Sequence, residues 1–319
     1  MNRYPLLRTL TLTGLLAVGL FAQLGCELAC TENENSQGGI CVAKSLTRFK
    51  GEPKQQAIPW SPGQGVQIDG VNGDIEVLKG ESADVVVSFY PFSYRARDSS
   101  EAAHKEIVEN LAVTATAGDP IQISSQRDGG SDALGARIVV ALPPAFDGAL
   151  SVKNAGDSPI NPGNVRIVFV GASTSVTLQN GGIGSCTLDG GPALRQTQVR
   201  CGGRAEVSGV HDDVDVETTS LETGTAIRVS LGSVGPNAKG GTIKSRDGHV
   251  EVTLPGAGNY GVVASSPTQG SVQLGSPPAS CTTTAASPWQ VTCGQSGASY
   301  EIVAGEDGLG DSDVVLTYE

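Results

Sequence analysis

Gly248-His249-Val250-Glu251-Val252-Thr253-Leu254-Pro255 shows how the chain is written: a glycine corner, a short run alternating apolar with polar residues, and a proline that ends it. Alternation with period two puts Val250, Val252 and Leu254 on one buried face of a strand and Glu251 and Thr253 on a wet one. The pattern returns in Gly73-Asp74-Ile75-Glu76-Val77, Asp212-Asp213-Val214-Asp215-Val216 and Gly270-Ser271-Val272-Gln273-Leu274. Similar pieces lie between them at Leu150 to Val152, Ser175 to Leu178, Ala205 to Val207, Ala226 to Leu231 and Thr242 to Lys244. A step of roughly 20 residues recurs between comparable segments, as expected where short strands stack into a solenoid. Glycine suits the corners, which need positive φ or close backbone approach. The expected fold is all-β: an elongated β-solenoid of short stacked strands, with an antiparallel β-sandwich as the alternative.

Upstream, Val66 to Asp69, Asp74 to Leu78 and Asp84 to Tyr90 read as strands, the last an almost unbroken apolar run suited to burial. One helix interrupts: Asp98 is placed as N-cap with Glu101 three residues on, and Ala103, Ile107, Val108 and Leu111 recur on one face. It is expected to cover the sheet. Strands resume at Ala112 to Thr116 and Ile121 to Ser124, and Ile138 to Leu142, ended by Pro143-Pro144, looks buried on both faces. Residues 31–64 are polar and irregular. The expected organisation is a signal peptide over 1–25, an anchor and tether with a small disulfide loop over 26–64, and a repetitive β domain over 65–319.

Arg3 and Arg8 followed by the uncharged, Leu-rich stretch Thr9 to Leu24 have the anatomy of a secretory signal. The stretch is shorter than the ~20 residues that span a bilayer core. Gln23-Leu24-Gly25-Cys26 resembles the lipobox of bacterial lipoproteins, with Gln23 where an aliphatic residue is usual. Seven cysteines are an odd number, and lipidation of Cys26 explains the odd thiol. The other six fall into close pairs, Cys30 with Cys41, Cys186 with Cys201 and Cys281 with Cys293, as local disulfides in an oxidising compartment do. Removing residues 1–25 takes the formal charge from −12 to −14. So acidic a chain is repelled by phosphate backbones and anionic lipid surfaces, so no nucleic-acid partner is expected.

Val71-Asn72-Gly73-Asp74-Ile75-Glu76-Val77, the Ile138 to Pro144 strand, and Gly248 to Pro255 followed by Gly261-Val262-Val263-Ala264-Ser265 resemble the bacterial putative-adhesin family. That family is built from Gly-Asp/Asn-Ile/Val repeats and occurs in envelope proteins. The resemblance covers residues 65–319 and implies an exported β-solenoid or β-sandwich-like domain with no catalytic residues to carry over. The cysteine pairs and the irregular repeat spacing after Asn161 depart from it.

Candidate chemistry is sparse. His104, His211 and His249 are the only histidines and no two have metal-ligand spacing. His211 beside Asp212, and His249 near Glu251, offer acid/base pairs, yet such neighbours are commonplace in an acidic β protein. Asp213, Asp215 and Glu217 share one strand face opposite Val214 and Val216, which reads as a solvated face. Glu306 to Asp313 is rich in the oxygen ligands that Ca²⁺ takes but lacks EF-hand or nonapeptide spacing. No nucleophile elbow or phosphate-binding loop occurs, and Gly181-Gly182-Ile183-Gly184 lacks the context of a dinucleotide site. Aromatics make up 4% of the chain, too few for an extended sugar-stacking groove, leaving Trp289, Tyr300 and Tyr318 as one conceivable contact. No cofactor or metal is expected.

These observations point to a non-enzymatic, lipid-anchored protein of the bacterial cell envelope, held in the outer membrane. Its β-solenoid would serve adhesion or contact with an envelope or extracellular partner. The alternative is a regulatory or envelope-stress module binding cationic peptides on its acidic faces. A glycan-cleaving β-helix enzyme comes third.

Overall fold

The computed structural model describes residues 34–37, 40–43, 46–129, 133–155, 163–168, 175–191, 194–219, 224–267, 270–284, 288–294, 297–306 and 311–319. The chain divides into two compact units, Met1–Thr47 with Arg95–Ser100 and Arg48–Tyr94 with Glu101–Glu319. In the first, β1 (Glu34–Gln37) and β2 (Ile40–Ala43) pair antiparallel.

The chain continues through β3 (Leu46–Lys50), β4 (Lys54–Ile58), β5 (Val66–Gly70), β6 (Ile75–Lys79), β7 (Val85–Ala96), α1 (Ser100–Asn110), β8 (Leu111–Thr116), β9 (Ile121–Arg127) and β10 (Leu134–Leu142). Then follow β11 (Leu150–Asn154), β12 (Val165–Val168), β13 (Ser175–Asn180), β14 (Cys186–Asp189), β15 (Gln196–Cys201), β16 (Ala205–His211), β17 (Asp213–Thr218) and β18 (Thr225–Ser233). The last stretch comprises β19 (Gly240–Ser245), β20 (His249–Leu254), β21 (Tyr260–Ser265), β22 (Val272–Leu274), β23 (Cys281–Thr284), β24 (Trp289–Cys293), β25 (Ala298–Ala304) and β26 (Val314–Tyr318).

Odd and even strands from β11 to β20 alternate between two 12-stranded sheets, so each consecutive pair makes one coil of a parallel stack. Sheet I runs β22-β26-β20-β18-β16-β14-β12-β6-β10-β7-β3, with β4 on β7; sheet II runs β23-β24-β21-β25-β19-β17-β15-β13-β11-β5-β9-β8. The expected all-β solenoid is the fold, and the antiparallel sandwich is excluded by parallel pairing from β5 and β6 through β20.

Coil order departs from chain order at both ends. The β9/β10 coil lies outside β5/β6, and β25/β26 is inserted between β19/β20 and β21/β22. Antiparallel strands flank both ends: β7 beside β10, β8 beside β9, and β24 beside β21.

Period-two alternation decides what is inside. Val66, Ile68, Ile75, Val77, Val214, Val216, Val250, Val252 and Leu254 all face one continuous apolar core. Corners sit directly above one another, so a Cβ on Gly202 would run into the Gly182 carbonyl and one on Gly184 into the Gly163 carbonyl.

Three readings of the sequence need correction. The segment 46–58, expected within the tether, supplies β3 and β4, and β4 pairs antiparallel with β7 to bury Ile58. In β10, Val139 and Ala141 are only half-buried, so the strand has one core face rather than two. In α1, Val108 is 82% exposed, Leu111 already begins β8, and the inward residues are Ala103, Glu106 and Ile107. Glu106 is tolerated there because Ser93 Oγ donates to its Oε2 at 2.7 Å.

Candidate functional site

The two outer faces differ in chemistry. On sheet I, Glu76, Arg166, Thr187, Glu206, Arg228 and Glu251 lie in register on successive strands. Alternating signs one strand apart neutralise each other: Glu76 meets Arg137 at 2.7 Å and Arg166 at 3.1 Å, Arg204 meets Glu206 at 3.0 Å, and Arg228 meets Glu251 at 2.7 Å. The Arg137 hydrogen bond, with Arg166 behind it, holds the Glu76 carboxyl below its ordinary range. For Glu251 the Thr225 hydroxyl and then Arg228 do the same.

Sheet II intersperses its charges with amides and hydroxyls. Ser151, Thr177, Gln198 and Asp215 form one outward row, and Lys153, Gln179, Arg200, Glu217 and Lys244 the next. Three hollows overlap on this face. One of about 300 Å³ lies over Ser175, Thr177, Gln196, Gln198, Asp213 and Asp215; one of about 350 Å³ over Gln198, Arg200, Asp215, Glu217, Thr242 and Lys244. The third, about 280 Å³, lies over Gln179, Gly181, Arg200, Gly202, Glu217 and Thr219. Shared residues make them one shallow polar trough across β13, β15, β17 and β19. On this sheet Arg200 lies 3.6 Å from Glu217 and Lys244 3.3 Å from Glu301.

The acidic run behaves as read: Val214 and Val216 are buried while Asp215 and Glu217 are exposed. Two of its carboxylates also bind backbone. Asp213 Oδ1 accepts the Lys239 N–H at 2.7 Å, and Asp215 Oδ1 accepts the Thr242 N–H and hydroxyl, each at 2.9 Å.

The histidines are held in structural contacts. His249 Nδ1 accepts the Asp313 N–H at 2.9 Å, and Asp313 Oδ1 in turn accepts the Ser271 N–H and hydroxyl, which holds the Asp313 carboxyl below its usual value. Asp74 to Asn164 to Ser185 is the equivalent side-chain-to-backbone ladder farther along sheet I. His211 Nδ1 lies 2.6 Å from Ser233 Oγ. Asp212, in a left-handed conformation (φ 68°), accepts the Gly235 N–H at 2.6 Å and pairs with Arg195. His104 packs edge-on against Phe49.

The aromatic contact does not assemble. Tyr300 is a core residue whose hydroxyl donates to the Asp212 carbonyl, whereas Trp289 and Tyr318 are half-buried on strands of different sheets. Residues 307–310 of the oxygen-rich segment lie outside the described residues, and among the described residues no group of His, Cys, Asp or Glu is arranged to hold a metal ion.

Cys186 and Cys201 are joined inside the core, tying the β13/β14 coil to the β15/β16 coil. Cys281 and Cys293 are joined directly across the β23–β24 pair. Two such bonds are the mark of an oxidising compartment. Cys26 and Cys30 lie outside the described residues.

Sequence reasoning missed the inner corner between the sheets. There Asn154, Asn180, Cys201, Thr218 and Ser245 stand in one inward column. Asn154 Nδ2 donates to the Gly73 and Gly163 carbonyls, and Asn180 Nδ2 to those of Gly163 and Ser185. The signal was Asn or Ser closing a strand just before a turn.

No protein-family model matches the chain, and no curated protein matches it. Solved structures do. A putative cell adhesion protein from Clostridium sporogenes is 10% identical, with 84% of this chain and 100% of that one covered and a TM-score of 0.32. A putative adhesin from Bacteroides fragilis is 10% identical over 84% and 97% of the two chains, with a TM-score of 0.31. Another, from Parabacteroides merdae, is 10% identical over 83% and 96%, with a TM-score of 0.27.

Proposed function

We propose that this is a non-enzymatic envelope protein, lipid-anchored through Cys26, whose stack displays the sheet II trough to another envelope or extracellular component. The carrying observation is the contrast between the faces: sheet I spends its charges on one another, whereas sheet II carries a continuous row of hydrogen-bonding groups over a shaped hollow. Such a face suits contact with a partner through many weak polar interactions, as an adhesin-like role requires. The test is adherence of cells displaying the protein, comparing wild type with Thr177→Trp and Gln198→Trp. Both side chains point outward, so the fold is retained while the trough is filled. Lost adherence supports the reading, and unchanged adherence removes the trough from it. Cys26→Ser moves the protein from the detergent phase to the aqueous phase if the anchor is right.

A second reading has an observation of its own. Asp213, Asp215, Glu217 and Glu306 outnumber Arg200 and Lys244 around the trough, which favours capture of a cationic peptide. Binding of such a peptide that collapses with added salt would select it over the first reading.

A further inference from the structure

One hollow on the second unit is lined by cations, in a chain whose net charge is −12. It forms where β3 gives way to β4 along β7. Proline has no N–H to donate, so Pro53 and Pro91 interrupt the ladder there, while Gly51 N–H still reaches the Pro91 carbonyl at 2.9 Å. The gap is about 220 Å³ and is walled by Arg48, Lys50, Pro53, Tyr90, Pro91 and Arg137.

Each wall is held in place by its neighbours. Arg48 and Lys50, two apart on β3, share its outward side. The Arg48 guanidinium lies 4.1 Å from the Phe92 ring centroid, which fixes its direction before any ligand arrives. Arg137 stands opposite Tyr90 in register, 5.8 Å from its ring centroid, and is braced by Glu76. Tyr90 is 43% exposed, one of the few large apolar side chains left in solvent among the described residues. The hollow therefore combines a flat aromatic and proline wall with a preset guanidinium and an ammonium.

We propose that this hollow binds a single acidic sugar unit, a six-membered ring carrying a carboxylate, alone or within an otherwise neutral glycan. The ring lies on Tyr90 and the prolines, and the carboxylate takes the Arg48 fork and Lys50. The hollow is smaller than the ~300–1,000 Å³ of drug-sized sites, which limits it to about one ring. Long polyanions and anionic membranes are disfavoured, because the chain as a whole carries a formal charge of −12. The site is separate from the sheet II trough, and the inference does not rest on the function proposed for that face.

Calorimetric titration of the purified full-length protein with a glucuronate-containing disaccharide, and with the same disaccharide bearing glucose instead, tests this. Binding of the acidic sugar, at least tenfold tighter than the neutral one, is expected. Arg48→Gln with Lys50→Gln should weaken it about tenfold or more, as loss of charge-assisted hydrogen bonds does. Tyr90→Ala should weaken it with the unfolding midpoint unchanged. Equal binding of the neutral sugar overturns the proposal, as does indifference to the Arg48 and Lys50 changes. Inorganic phosphate or anionic vesicles binding as well as the sugar would show that charge alone is read, and a loss caused by Asp215→Asn would place the sugar in the trough. Either result refutes the assignment.

Discussion

Ile302→Ala tests the insertion of the C-terminal coil directly. Its strand follows β21 to β24 in the chain, where an ordinary solenoid would stack it outside them. Here Ile302 is 0% exposed on β25, with Ile243 of β19 on one side and Ala264 of β21 on the other. A buried Ile cut to Ala between two neighbours costs about 2–5 kcal/mol, from lost transfer free energy and the residual cavity. With a urea slope of about 3 kcal/mol/M, a 3 kcal/mol loss lowers the unfolding midpoint by roughly 1 M. The control is Leu274→Ala on β22, the half-buried outer strand of sheet I, for which a loss of about 1 kcal/mol is expected. Urea unfolding followed by far-ultraviolet circular dichroism measures both. If Ile302→Ala costs no more than Leu274→Ala, β25 is not an interior strand and the deduced coil order is wrong.

Three further outcomes are expected. The double change Cys186→Ser and Cys201→Ser opens a loop with a sequence separation of 15 between coils, and should cost up to about 3 kcal/mol, read as a lowered melting temperature. Glu76, Glu251 and Asp313 have folded pKa values below their ordinary ones, so the stability they confer is present above the ordinary carboxylate range and lost as pH falls through the folded values; Glu76→Gln should flatten the acid limb of a stability–pH curve. Burial pushes the Tyr260 phenol up to about 12 and raises that of Tyr300 as well, so their stabilisation is complete below pH 10 and lost above, and ultraviolet titration of wild type against Tyr260→Phe with Tyr300→Phe should show that these two phenols ionise only as the fold opens in alkali.

Which residues point inward was legible in the sequence, because strand period two is a local property. Val250, Val252 and Leu254 were assigned to the core from alternation alone, and the same rule separated Val214 and Val216 from Asp215 and Glu217. The helix was legible, and so were Ala103 and Ile107 on its buried side, but Val108 faces solvent and Glu106 turns inward through Ser93, a residue of β7 that no local pattern associates with it. The trough on sheet II was illegible for a related reason. Thr177, Gln198, Asp215 and Thr242 are polar residues on separate strands, and only register brings them together. The same holds for the hollow at Tyr90, whose walls come from β3, β7, β10 and a proline kink.

The sequence by itself determined the strand-and-corner texture, the core side of the alternating strands and the two cysteine pairs Cys186 with Cys201 and Cys281 with Cys293, since these depend on neighbours within a few residues. Only the tertiary structure decided the order of coils, with β9/β10 outside β5/β6 and β25/β26 slipped inside β21/β22. Every strand offers the same ladder of N–H and C=O groups on its two edges, so alternation cannot say which edge another strand will join. That choice rests on side-chain fit across the core and on which loops can span the gap.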